Sequence, residues 1–322
     1  MLRNDNGNAA VLPIVIAAHN EEKVIERAIC SALEQKTPDD VVTQIIIVAN
    51  GCEDRTEEIV RNLQNDQVTL LSMTDKGKTK AINHFIEWFD NIPQKDSRPS
   101  YAVFLDADCQ FVGDENILRI YDRFASNEKL CAVGAECVPD VVHNSREDLV
   151  SKIYRSLHEL DSYFDRNSIS GMCYAIRFDI LKKIDFPDFQ FAEDMYVSTR
   201  LSGHFIKDRS VKIMFGVPGD LSSELQRRTR QEVSTQRFIA YREHVKKHAN
   251  AVKLFEEPLA DEYRYRGMGG DSKLPAFLKL RGIAKKFYLG YFIVVVLIAR
   301  WRARRIMQSM KEHDLDYWKV IR

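Results

Sequence analysis

Two aspartates stand one residue apart at the end of the run Tyr101-Ala102-Val103-Phe104-Leu105-Asp106-Ala107-Asp108. The residues Ala102 to Leu105 are short and apolar, which predicts a strand buried on both faces. Two carboxylates around a small Ala107 can approach one divalent cation and leave room for phosphate oxygens. In an open α/β sheet, ligands bind outside the carboxyl ends of the strands, so the position suits a site. The same residues also suit a strand followed by an Asx turn. Downstream, Glu193-Asp194 opens an expected helix. The helix dipole there favours a carboxylate in the ionised form that a general base needs. Capping of that helix is the alternative reading. Lys76-Gly77-Lys78 offers point charges to phosphates. Gln226-Arg227-Arg228-Thr229-Arg230 reads as a solvated basic helix face or as a diphosphate clamp.

The pattern around these residues predicts the elements that must hold them. Val11 to Ala18 is a buried strand, and His19-Asn20 turns it into a helix through Val24, Ile25, Ala28 and Ile29. Gln44 to Ala49 is a second strand, ended by Asn50-Gly51-Cys52-Glu53-Asp54. A helix over Arg55 to Leu63 follows, with Asp54 or Thr56 near its cap. Val68 to Met73 is a third strand, followed by Lys76-Gly77-Lys78 and a helix through Ala81, Ile82, Phe85, Ile86 and Phe89. The stretch ending in Asp106-Ala107-Asp108 is the fourth strand. Beyond it come a helix around Ile117 to Phe124, a strand at Ala132 to Val138, and a helix over Leu149 to Phe164. A strand at Ser170 to Arg177, helices at Asp179 to Ile184 and Phe189 to Leu201, and strands at Lys207 to Val217 complete this part. Strands alternating with helices at this spacing predict a mostly parallel, helix-flanked sheet. In such a sheet Ala18-His19-Asn20-Glu21, Ala49-Asn50-Gly51 and Asp106-Ala107-Asp108 line one edge.

Composition excludes several classes. The chain has 322 residues, and Lys+Arg and Asp+Glu both number 47, so its overall charge gives no footprint for nucleic acid. The six cysteines include no Cys-x-x-Cys pair, which argues for buried free thiols in a reducing compartment rather than a disulfide scaffold or zinc cluster. His244 and His248 lie among Glu243, Lys246 and Lys247 and read as a solvated helix face. The polar start, Met1 to Ala10, lacks a signal-peptide pattern, so a cytoplasmic location is expected. The Gly-x-Gly-x-x-Gly and Gly-x-x-x-x-Gly-Lys-[Ser/Thr] phosphate cradles are both missing, which removes the dinucleotide and P-loop readings.

Taken in order, seven segments resemble family 2 glycosyltransferases of the GT-A fold. They are Ala18-His19-Asn20-Glu21-Glu22, Asn50-Gly51-Cys52-Glu53-Asp54-Arg55-Thr56, Lys76-Gly77-Lys78-Thr79-Lys80-Ala81-Ile82-Asn83, Asp106-Ala107-Asp108, Gly171-Met172-Cys173-Tyr174-Ala175-Ile176-Arg177, Glu193-Asp194 and Gln226-Arg227-Arg228-Thr229-Arg230. The resemblance spans Val11 to Phe238. It implies that Ala18, Asn20, Glu21 and Asn50 lie at the nucleobase and ribose, and Lys78 near the pyrophosphate. It implies Asp106 at the ribose or metal and Asp108 on the metal, a Mn²⁺ or Mg²⁺ ion, with Ala107 and Glu193 in the same donor site. Asp194 would be the base that deprotonates an acceptor hydroxyl for an inverting displacement, and Gln226, Arg227, Arg228 and Arg230 would close over the diphosphate. The implied donor is a nucleotide-diphosphate sugar, a UDP-sugar first among them, and the acceptor a glycan or lipid-linked hydroxyl. Three positions depart from the family pattern: His19 stands where Tyr is common, Asn50 where many members have Asp, and Arg230 where processive synthases have Trp. The last favours transfer of a single sugar. A nucleotidyltransferase of similar fold and a non-catalytic nucleotide-binding membrane scaffold are the competing readings.

The composition shifts beyond Tyr241, so the expected division is a GT-A catalytic domain over 1–240 and a C-terminal helical extension over 241–322. Asp261 to Asp271, charged and Gly-rich, reads as a linker. Leu274 to Met307 is apolar and basic, and Phe287 to Ala299 runs 13 residues without a charge. A spanning helix needs about 20 apolar residues, so this one is expected to lie on a membrane surface, with Lys285, Lys286, Arg300, Arg302, Arg304 and Arg305 as basic flanks. A buried core helix or a homo-oligomer interface is the alternative, because apolar residues occupy every face. No nucleic-acid partner is expected.

Overall fold

The protein is described by a computed structural model that covers residues 10–92, 100–142, 146–161, 169–187, 192–201, 203–248 and 282–313. The expected linker at Asp261 to Asp271, the polar start and the first part of the Leu274 to Met307 segment lie outside the described residues, as do the side chains of His244 and His248.

Three βα repeats build the first half of the sheet. They are β1 (Ala10–Ala18) with α1 (Ile25–Leu33), β2 (Val41–Asn50) with α2 (Thr56–Asn62), and β3 (Val68–Met73) with α3 (Lys78–Asp90). The strands are runs of β-branched and small apolar residues, and Ile14, Ile16, Ile45, Ile46 and Ile47 are fully buried. Continuous apolar runs of this kind form strands covered on both faces. Each such side chain contributes about 1.5–3 kcal/mol on burial. α3 turns Ala81, Ile82 and Phe85 inward, where Phe85 meets Phe104 and Phe178 edge-on.

The chain continues through β4 (Tyr101–Leu105), β5 (Cys109–Phe111), α4 (Asn116–Ser126) and β6 (Ala132–Pro139). α5 (Leu149–Asp161), β7 (Cys173–Arg177), α6 (Phe178–Leu181), α7 (Glu193–Leu201), β8 (Phe205–Phe215), α8 (Leu221–His248) and α9 (Ile283–His313) follow. The sheet has eight strands in the order β3-β2-β1-β4-β7-β6-β8-β5. β3, β2, β1 and β4 are parallel, while β7 runs antiparallel to β4 and to β6, and β5 antiparallel to β8. The sheet is therefore mixed: the parallel pattern expected from the βα repeats fills its first half and ends at β4. β5 is three residues long, too short to leave a periodic signature.

This topology decides which residues meet. The carboxyl ends of β1, β2, β3 and β4 share one edge because these strands are parallel. β7 is antiparallel to β4, with Leu105 opposite Cys173, so the residues that precede β7 reach that same edge. Asp106 N donates to Met172 O at 2.9 Å and continues the pairing past the strand end.

Two compact units result. Of the described residues, one comprises those within 1–138 and 166–216, and the other those within 139–165, 217–248 and 282–313. The helix α8 runs unbroken through the 240/241 boundary anticipated from composition. In the second unit, α9 packs against α8 and α5. Among the described residues no helix is long and apolar enough to cross a membrane. All six cysteines are free thiols, three of them buried, while Cys30 is exposed.

A buried polar knot fastens the far end of the sheet. Asn116, 0% exposed, donates through its amide to Gln35 Oε1 (3.2 Å), Val112 O (3.1 Å) and Gly113 O (3.0 Å), and accepts from Lys212 N (2.8 Å). It thereby joins α1, the turn after β5, α4 and β8. Asn116→Leu removes these four bonds. Gln35 Oε1 keeps the bond from Asn116 N and Gly113 O the one from Gln35 Nε2, while Val112 O and Lys212 N lose this partner. We predict a loss of roughly 2–4 kcal/mol in unfolding free energy, read by urea denaturation, with the m-value unchanged.

Candidate active site

At the shared strand edge, Lys78 opens α3 and its ammonium lies between two acidic segments. Nζ is 2.6 Å from Asp106 Oδ1, 2.6 Å from Glu193 Oε1 and 2.6 Å from Gly171 O. An ammonium has three protons, and all three are used. The end of β4, the turn before β7 and the start of α7 are thus tied to one atom. Glu193 is buried and the Lys78 side chain only 25% exposed, so solvent screens this cluster weakly. Burial opposes the charge on Lys78, but Asp106 and Glu193 outweigh it and hold its pKa well above the usual lysine value. Burial pushes Asp106 up to about 6, against the pull of Lys78.

Gly171 is the hub of the turn. A Cβ there would lie 2.7 Å from Glu193 Oε1 and 3.5 Å from Lys78 Nζ, so only glycine leaves the Glu193 carboxylate in place. Its backbone N–H donates to Asp194 Oδ2 at 3.2 Å, and Met195 N donates to Asp194 Oδ1 at 2.8 Å. Asp194 therefore sits at the N-terminus of α7 with both oxygens bonded to amides. Burial, then the neighbouring Glu193 charge, raise its pKa to about 6, with the two amides and Lys78 pulling the other way. It is ionised at neutral pH yet basic enough to take a proton. Behind it, Tyr174 is fully buried, stacks on Phe104 at 5.1 Å, and its hydroxyl has no hydrogen-bond partner among the described residues. Burial pushes that phenol up, so it stays neutral.

Asp108 differs from Asp106. It is exposed, and its recorded polar contact is the weak one from Cys109 Sγ at 3.5 Å. Ala107 between them is buried. Among the described residues no group of three or more His, Cys, Asp or Glu side chains forms a metal cage.

The other strand ends are joined by Asn50, which is only 4% exposed. Its Nδ2 donates to Ala18 O at 2.8 Å, and its Oδ1 accepts from Gly77 N at 3.0 Å. The amide that the resemblance assigns to the nucleobase is thus occupied in tying β1, β2 and the start of α3 together. His19, exposed, places Nδ1 2.8 Å from Asn50 O, and Cys52 Sγ lies 3.3 Å from Ala18 O. Asn20 adopts the left-handed φ of 58°, a conformation Asn tolerates well, and its Oδ1 accepts from Glu53 N at 2.7 Å. Glu21 N donates to Thr56 Oγ1 at 2.7 Å, and Thr56 is in turn fixed by Asp54 Oδ1 at 3.0 Å through its backbone N–H.

Gln226, Arg227, Arg228 and Arg230 lie on α8 in the second unit. There Glu224, almost fully buried, takes Arg228 Nε at 2.7 Å and Arg227 Nε at 3.4 Å, and accepts from the Tyr154 hydroxyl at 2.9 Å. Arg227 and Arg228 also lie over the Tyr154 ring. Gln226 and Arg230 are exposed.

The site thus unites Lys78, Asp106, Glu193 and Asp194 at one edge, with Asp108 beside them. Gly171, Gly77 and Tyr174 carry structural duties that motif reading did not assign. The only sequence trace of Gly171 is a small residue ahead of a strand, and its partners lie 93 and 23 residues away in the chain.

Residues 14–185, more than half of the chain, match the model of Glycosyl transferase family 2. The chain belongs to that family. Its fold is similar to that of the mannosyltransferase PcManGT from Pyrobaculum calidifontis, solved in complex with GDP-Man and Mn²⁺. The TM-score is 0.56 at 16% identity, covering 97% of this chain and 78% of that one. The expected GT-A architecture is thereby found: a mixed α/β curled sheet with flanking helices and a helical C-terminal part. S. aureus TarS 1-349 in complex with UDP aligns over 70% of this chain and 65% of that one at 14% identity, with a TM-score of 0.47 that fixes nothing here. No curated protein sequence matches the chain.

Lys78→Met leaves Asp106 and Glu193 facing each other without their cation. We predict a loss on the order of 3 kcal/mol of stability at pH 7. Adding Glu193→Gln, which removes one stranded charge, should restore part of that loss in a denaturation double-mutant cycle.

Proposed function

We propose that this glycosyltransferase moves a single sugar, with inversion, from a nucleotide-diphosphate sugar to a hydroxyl of a glycan or lipid-linked acceptor. The observation that carries this reading is the Lys78 bridge, which fastens the Asp106-Ala107-Asp108 strand end to the Glu193-Asp194 helix start. A metal-and-diphosphate region and a base are thereby held in one rigid arrangement, as positioning catalysis requires.

Asp194 is the proposed base. Its two amide bonds fix the carboxylate in place, and its raised pKa suits proton transfer near neutrality. Direct displacement needs no covalent nucleophile: the acceptor oxygen attacks the anomeric carbon as Asp194 takes its proton, and the bond to the diphosphate breaks. Asp108 and the free oxygen of Asp106 would hold a divalent cation. The donor set fits that role. Lys78 is a single cation facing Asp106, Glu193 and the nearby Asp194 and Asp108, which leaves the cluster with surplus negative charge. Two carboxylates are too few for an all-protein cage, so diphosphate oxygens and water would complete the coordination of Mn²⁺ or Mg²⁺. When bound, such an ion stabilises the charge of the leaving diphosphate. Lys78 supplies fixed positive charge to the same region, and Ala107 keeps the strand end narrow. Ala18, Asn20, Glu21 and Asn50 shape the nucleoside end. Asn50 does so by holding Ala18 O and Gly77 N in place. The neighbour solved with GDP-Man makes guanine as eligible as uracil for the base.

The test is nucleoside diphosphate release from a panel of UDP- and GDP-sugars with Mn²⁺ or Mg²⁺. We expect Asp108→Ala and Asp194→Asn each to lower kcat/KM at least about 100-fold. Pyrophosphate as the product would favour the nucleotidyltransferase reading instead.

The pH dependence follows from Asp194. Its carboxylate must be ionised to accept a proton, and its pKa is raised to about 6. The rate should therefore fall about tenfold per pH unit below that value and level off above it. Glu193 contributes to the rise, so Glu193→Gln should move the inflection to lower pH in a kcat/KM profile.

A further inference from the structure

The helix α9 has two unlike apolar sides. At about 100° per residue, Leu289, Val295, Ala299 and Ala303 fall on one side, and all four are buried in the second unit. Phe292 belongs to this inner side, where Arg228 lies over its ring at 4.7 Å. On the opposite side, Phe287 (64% exposed), Tyr291, Ile293, Val294, Leu297 (57%), Ile298 and Trp301 (57%) spread over an arc of roughly 160°. With Ile306, α9 carries eight of the eleven exposed large hydrophobic residues among those described. This resolves the all-round apolar character of the sequence: one half of the helix is core and the other is uncovered. A contiguous exposed patch of this kind marks an interaction surface.

The cations indicate what covers it. No acidic residue occurs between Ile283 and Lys311. Lys285 is paired with Glu159, and Arg300 with Glu232, so these two serve the unit's own packing. Arg302, Arg304 and Arg305 are exposed at one end of the apolar arc, and Arg305 lies over the Trp301 ring at 4.9 Å. Lys286 stands at the other end. A second copy of α9 laid on this face would bring arginine against arginine if parallel, or arginine against Lys286 if antiparallel. Like charges meet either way. An anionic lipid surface offers the complementary arrangement: acyl chains for the apolar arc, phosphates for the arginines at its end, and an interfacial level for Trp301. No helix among the described residues is long and apolar enough to cross a membrane.

We propose that the exposed face of α9 docks the enzyme in the plane of an anionic bilayer, as expected of a cytoplasmic leaflet. The apolar arc enters the headgroup boundary, and Arg302, Arg304 and Arg305 bind lipid phosphates. The proposal is independent of the reaction assigned to the strand-edge site.

The test is co-sedimentation of the full chain with vesicles of phosphatidylglycerol and phosphatidylcholine, against vesicles of phosphatidylcholine alone. We expect binding to the anionic vesicles that weakens as salt rises. An arginine near such a surface is worth roughly fivefold in affinity, so Arg302→Glu/Arg304→Glu/Arg305→Glu should lose at least a hundredfold. Val294→Glu/Leu297→Glu should lose at least tenfold, with an unchanged urea midpoint showing that the fold is intact. Two results would overturn the proposal. One is no binding to anionic vesicles, or equal binding to both kinds. The other is a dimer in light scattering that Val294→Glu/Leu297→Glu dissolves, which would assign the face to a second copy.

Discussion

A single ammonium determines how the shared strand edge of this protein is assembled. Lys78 Nζ contacts Asp106, Glu193 and Gly171 at 2.6 Å each. Its partners come from a parallel strand, a helix start and the turn before an antiparallel strand. None of the three segments is adjacent in sequence to another. Without the lysine, Asp106 and Glu193 would repel each other at low dielectric, and the turn at Gly171 would lose the carbonyl contact that holds it in place. The reversal of strand direction at β7 is what makes the contact geometrically available. A seventh strand parallel to β4 would have carried Gly171 to the opposite edge of the sheet.

The same constraint separates the roles of neighbouring carboxylates. Asp106 and Glu193 are spent on Lys78, while Asp108 remains exposed and Asp194 is held by backbone amides instead of a cation. Each of the two carboxylate pairs thus has one member bonded to Lys78 and one that is not. In both pairs the first residue faces the lysine. The two amides pull the pKa of Asp194 down, as Lys78 does at Asp106, and at both carboxylates burial outweighs the pull. The raised value at Asp194 reflects burial more than its bonds.

The sequence made the first half of the sheet legible. Val68 to Met73 matches β3 residue for residue, and the turns ending at Asn20, Asn50 and Asp108 fall where the βα periodicity puts them. These are local patterns set by neighbouring residues. What sequence left unread depends on distant pairing: the reversal at β7, the three-residue β5, and the Gly171 hub, whose glycine is required by a Glu193 carboxylate met only in the fold. Asn50 shows the same limit. Its type and position suit a ligand contact, yet both ends of its amide are engaged by Ala18 and Gly77. In α9, sequence gave the apolar length but not its two sides, because hydropathy is equal on both and only packing against α8 and α5 distinguishes them.

Direct displacement with Asp194 as the proposed base has one decisive readout. Time-resolved proton NMR of the product, started from a donor of known anomeric configuration, reads this directly. The anomeric coupling constant of the first product formed should show the configuration opposite to that of the donor, and no product should form with Asp194→Asn on the same timescale. A product that keeps the donor configuration, or one formed at an undiminished rate by Asp194→Asn, would contradict it.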